Sequence, residues 1–91
     1  MSILETCVDY KILKDNLTAQ QLENIDKVLK HFQAYEEKYD DGETDIIGDY
    51  MRLYGNDYII DWFEGLMSTE DFIEEIKRGN VYCGILDFKK L

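Results

Sequence analysis

A chain of 91 residues with twenty acids, ten bases and a net charge of −10 has room for one core. It carries too much negative charge to favour direct contact with nucleic acid or an anionic membrane. Hydrophobic residues at 45% argue against a disordered chain, and two cysteines, Cys7 and Cys83, outside any C-x-x-C spacing, against a disulfide framework or zinc site.

Near the start, "TCVDYKIL" alternates: Val8, Tyr10 and Ile12 on one side, Asp9 and Lys11 on the other. That is the period of a strand, and the β-branched and aromatic content agrees. The same stretch also lets Ile3, Leu4, Cys7 and Val8 line a helix. The next element is plainer. Thr18 and Gln21 have capping-box spacing, with Leu17 able to staple to Leu22. Leu22, Ile25, Leu29, Phe32 and Tyr39 recur at helical intervals, and Glu23–Lys27 and Asp26–Lys30 are favourable i,i+4 pairs on the opposite, wet side. Gly42 follows as a stop.

A second helix begins after Thr44 with Ile46, Ile47, Tyr50, Met51 and Tyr54 on its apolar face, and Gly55 ends it. Gly48 inside that helix costs roughly 1 kcal/mol relative to alanine. Asn56 then caps a third helix facing inward through Ile59, Ile60, Phe63 and Met67. Ser68 and Asp71 start a fourth, with Phe72, Ile73 and Ile76 inside, Lys77 and Arg78 at its negative end and Gly79 as its stop. The tail "VYCGILDF" reads as a strand, most simply paired with the N-terminal segment. The expected fold class is therefore α+β and mainly helical. Four helices lie at about 18–40, 45–54, 57–67 and 69–78, with a small two-stranded sheet from about 6–13 and 81–88, in one domain of residues 1–91.

The acids are not spread evenly. Residues 36–75 hold fourteen acids and two bases, a net charge of −12, so the rest of the chain carries +2. Asp57, Asp61 and Glu64 fall at i, i+4 and i+7. Glu70 with Glu74 and Asp71 with Glu75 repeat the like-charged i,i+4 spacing, which costs a few tenths of a kcal/mol per pair. Carboxylates one helical turn apart sit about 5–6 Å from each other, comparable to phosphates along a nucleic-acid strand. Tyr58 and Trp62 lie beside the third helix's inner face, where partial exposure would suit interface anchors. A solvated acidic face that serves only solubility has the same composition.

Other chemistry finds little support. Around "YDDGETD" a calcium loop with Gly42 at its sixth position would need Glu where Gly48 stands. The lone histidine, His31, falls opposite Leu22 on the helix wheel, toward solvent, with no nucleophile evident nearby. Cys7 and Cys83 sit in apolar surroundings that suit core residues. There is no Gly-rich phosphate loop, no membrane span of the ~18 residues required, and no basic-then-apolar leader, so a cytoplasmic location is expected. The expectation is a non-enzymatic binding protein with no cofactor and no metal. Its partner-binding residues are Asp57, Tyr58, Asp61, Trp62, Glu64, Glu70, Asp71, Glu74 and Glu75, and its partner is a basic nucleic-acid-binding or nuclease protein. Small acidic phage proteins that disarm restriction or CRISPR effectors are similar in size and charge. That likeness is one of composition, with no shared motif, and no residue role carries over. The alternatives are an immunity or antitoxin protein facing one cationic toxin, and an adaptor or oligomerisation domain; the oligomeric state is open.

Overall fold

A computed structural model describes residues 3–43, 45–55 and 57–81. A 3₁₀ turn, Leu4–Thr6, leads into five helices: α1 Tyr10–Asn16, α2 Ala19–Tyr39, α3 Ile46–Tyr54, α4 Asp57–Phe63 and α5 Thr69–Lys77. The long α2 is the spine. It touches the 3₁₀ turn, α1, α3 and α4, while α5 packs on α1 and α4. Ile25, Val28, Leu29 and Phe32 of α2 are buried at helical spacing and meet Leu13 of α1, Tyr50 of α3, Ile59 and Ile60 of α4 and Phe72 of α5 in one core.

Local chemistry starts these helices. Thr18 and Gln21 form the full capping box of α2, each side chain taking the other's backbone N–H. Asp45 accepts from Gly48 N–H at the start of α3, and Ser68 from Asp71 N–H at the start of α5. Both i,i+4 ion pairs on α2 form: Lys27–Glu23 at 3.4 Å and Lys30–Asp26 at 3.0 Å. Asp26, however, is not on the wet side. It is buried, and its other oxygen accepts the Leu4 N–H at 3.0 Å, pinning the 3₁₀ turn to α2.

The α+β expectation is overturned. Among the described residues there are five helices and no strand. Residues 6–13 are a turn followed by most of α1. Tyr10, Leu13 and Leu17 supply the inner face at i, i+3 and i+7, whereas Val8, which the strand pattern sets on the same side as Tyr10, is wholly exposed. Alternation over the five residues 8–12 does not separate the two periods, and the burial of Leu13 decides for the helix. The tail strand expected at 81–88 lies outside the described residues beyond Val81, as does the Asn56 cap.

The helix expected over 57–67 stops at Phe63. Gly65 adopts a left-handed φ of 84°, its N–H returns to Trp62 C=O at 3.1 Å, and Leu66 N–H returns to Asp61 C=O at 2.8 Å. This is a Schellman ending, which outweighs the helical spacing of Phe63 and Met67. Gly79 closes α5 in the same way, with Asn80 N–H on Glu75 C=O at 3.0 Å. No helix among the described residues is long and apolar enough to cross a membrane.

Candidate functional site

Helix α4 is seated by Ile59, Ile60 and Trp62, which are buried. That orientation leaves Asp57 exposed and Asp61 half-buried, and Glu64 is exposed just past the helix end. Partial burial raises the Glu64 pKa, and the nearby Glu36 carboxylate of α2 raises it further. The end of α4 and the second half of α2 therefore bring two carboxylates into each other's field, although they are far apart in sequence. Among the described residues no lysine or arginine forms an ion pair with Glu36, Asp57, Asp61 or Glu64.

The α5 acids have different surroundings. Glu74 and Glu75 share the guanidinium of Arg78, and Asp49 of α3 pairs with Arg52 at 3.2 Å. Glu70 and Glu74 line a shallow groove of about 280 Å³ against Ile12 and Asn16 of α1, with Lys77 beside them. Asp71 is exposed in the first turn of α5. The seven expected carboxylates thus fall into two groups: Asp57, Asp61 and Glu64 on and just past α4, without a described cation, and the α5 acids, partly lining the groove against α1 and partly neutralised by Arg78.

Of the two expected aromatic anchors, Tyr58 is 37% exposed and Trp62 only 8%. The Trp62 ring stacks on Phe72 with centroids 5.0 Å apart, and its indole Nε1–H donates to Thr69 Oγ1 at 3.0 Å. The Thr69 hydroxyl in turn donates to Asp9 Oδ2. Asp9 stands at the N-cap of α1 yet makes no capping bond there. Its carboxylate is committed instead to α5, so α1 forgoes a cap worth about 1 kcal/mol and gains a tertiary link.

This three-residue chain underlies the larger groove, about 510 Å³, between the Thr6–Asp9 turn and the α4–α5 loop. Cys7, Val8, Phe63 and Met67 supply much of its wall, and no lysine or arginine among the described residues lines it. Sequence reasoning missed the arrangement because Asp9 and Thr69 are 60 residues apart. The one available signal was Trp62 itself, whose N–H needs an acceptor once the ring is buried. Burial, then Asp26 and Asp9, raises the Cys7 pKa, which keeps the thiol protonated.

His31 is not turned to solvent. It is half-buried, with Nδ1 3.0 Å from the Tyr50 hydroxyl and its ring edge-on to Tyr54 at 4.7 Å. Burial raises the pKa of the Tyr50 hydroxyl far above the usual tyrosine range. Tyr50 and Tyr54 belong to an aromatic cluster that also includes Tyr35 and Phe32. No group of three or more His, Cys, Asp or Glu among the described residues is placed to hold a metal ion. Comparison with known proteins finds no matching family, no matching curated protein and no matching solved structure.

Proposed function

We propose that this is a non-catalytic binding protein whose carboxylate surface, carried by α4 and the second half of α2, docks on a cationic nucleic-acid-binding surface of another protein. One observation carries the reading. Glu64 is partly desolvated and lies in the field of the Glu36 carboxylate, and no described cation pairs with either. Such a pair destabilises the free protein, and an incoming lysine or arginine turns the repulsion into attraction. The net charge of −10 adds long-range steering toward a basic target. Asp57 and Asp61, one turn apart, extend the anionic stripe at a spacing of about 5–6 Å, which a groove shaped for phosphates can meet.

The test begins with proteins captured on the immobilised chain at low salt, followed by a nucleic-acid competition assay on each. The reading expects a captured protein that loses DNA or RNA binding in proportion to the added chain. It also expects capture to fail for the variant Glu36→Gln, Asp57→Asn, Asp61→Asn, Glu64→Gln. Captured proteins that keep their nucleic acid undiminished, or that bind the neutralised variant equally well, overturn it.

A further inference from the structure

Val8 is 100% exposed and Leu66 75% exposed. Single exposed hydrophobics are ordinary on a protein surface. These two are not isolated. Val8 lines the 510 Å³ groove, and Leu66 stands between Gly65 and Met67, which also line it. In a Schellman ending the residue after the glycine commonly packs back on its own helix. Here the turn-closing partner one turn back is Asp61, and Leu66 remains in solvent. Phe63 and Met67 are half-buried beside it. Apolar side chains thus line and adjoin a concavity, the surface type that marks an interaction site.

The charge around the patch narrows its occupant. Among the described residues, Asp9 is the only charged one that lines the groove. Glu64 stands in the chain between the lining residues Phe63 and Gly65. A second copy of this chain, also at −10, would meet like charge there, whereas a basic segment would not. The groove's base is held firm by the Trp62–Thr69–Asp9 hydrogen bonds, which tie α4, α5 and α1 together. A rigid concavity loses little entropy when it accepts a side chain.

We infer that this groove seats one large apolar side chain from a lysine- or arginine-rich segment of the partner protein, with the flanking cations meeting Glu64 and the α4 carboxylates. The inference rests on the docking reading above and specifies it: the apolar anchor comes from the partner, and the pocket is here. Trp62 then serves by shaping the groove from within.

Two lysine-rich peptides of equal length and charge test this, one with a central phenylalanine and the other with glycine in its place. Calorimetry at low salt gives affinities, and amide and methyl shifts give the location. The phenylalanine peptide should bind on the order of 10-fold tighter. Its additional shifts should cluster at Val8, Leu66, Met67 and the Trp62 indole N–H. The advantage should fall below about 3-fold in Val8→Gln/Leu66→Gln, whose two sites are exposed and whose melting temperature should match the parent's. Equal affinity of the two peptides, or an advantage that survives the double variant, overturns the groove assignment. If the glycine peptide binds and loses affinity on Glu36→Gln/Asp57→Asn/Asp61→Asn/Glu64→Gln, while phenylalanine adds nothing, the groove fails and the docking face stands. Absence of binding by both peptides overturns both.

Discussion

Replacing Thr69 with valine removes one oxygen and nearly preserves the shape. Thr69 Oγ1 accepts from the Trp62 indole at 3.0 Å and donates to Asp9, and both Thr69 and Trp62 are buried. A hydrogen bond to a charged group nets about 1.5–3 kcal/mol, and the half-buried Asp9 can recover some hydration, so the lower end applies. The indole N–H has no such recourse, and leaving a buried donor without its acceptor costs about 1–3 kcal/mol. The expected loss is therefore about 3 kcal/mol, from a total stability of roughly 5–15 kcal/mol for a small domain. At roughly 4–8 °C per kcal/mol for a chain of this length, the melting temperature should fall by roughly 12–24 °C. Thr69→Ser keeps the hydroxyl and drops a methyl, at about 1 kcal/mol. Urea and thermal unfolding can be followed by the fluorescence of Trp62, the single tryptophan. A valine variant no less stable than the serine variant refutes the reasoning. A double-mutant cycle with Asp9→Ala isolates the second bond and should show a coupling of about 1 kcal/mol or more.

Glu36→Gln should lower the Glu64 pKa without restoring it to the ordinary 4.5, because burial is the larger cause and Glu36 the smaller. The folded state holds the Glu64 proton more tightly than the unfolded chain. The site is thus least costly below the ordinary glutamate range, and the cost grows as pH rises through the raised folded value. Glu36→Gln should therefore be relatively more stable at neutral pH than at pH of about 3, measured by urea unfolding at both. A methyl on residue 48 would run into the Asp45 carboxylate that caps α3. Gly48→Ala should then be near neutral, the roughly 1 kcal/mol of helix propensity offset by a weakened cap. In an Asp45→Ala background the same change should stabilise by about 1 kcal/mol; equal effects in both backgrounds would discard this account. Cys7 should alkylate several-fold more slowly than a free thiol at mildly alkaline pH, read by peptide mass spectrometry, since its thiolate is disfavoured. A rate equal to that of a free thiol would contradict the buried setting.

The parts of the fold legible in the sequence are those that local chemistry settles. Thr18 and Ser68 each sit three residues before the amide they accept, and both expected caps form; the sequence pattern places the start of α3 only as after Thr44, and Asp45 proves to be its cap. The misread parts are those settled at a distance. Val8, Tyr10 and Ile12 alternate as a strand would, but α1 forms because Leu13 finds the core made by the other helices. No signal within residues 6–13 announces that core. The end of α4 is a nearer miss. Gly65 supplied the stop, but Met67 continued the apolar spacing and favoured a longer helix.

Charge was legible as a quantity and not as a geometry. The sequence places fourteen of the twenty acids in residues 36–75, and a helical wheel ranks them by angle. Neither says what stands opposite. Glu74 and Glu64 look alike on their wheels, yet one meets the Arg78 guanidinium and the other the field of Glu36. The difference bears directly on docking. A partner lysine that approaches Glu74 must compete with a cation already in place, whereas one that approaches Glu64 relieves a repulsion. Neutralising Glu64 should therefore weaken a basic partner more than neutralising Glu74, although the net charge changes by the same amount. Equal losses from Glu64→Gln and Glu74→Gln would mean that bulk charge alone drives the encounter, and the α4 face would lose its special standing.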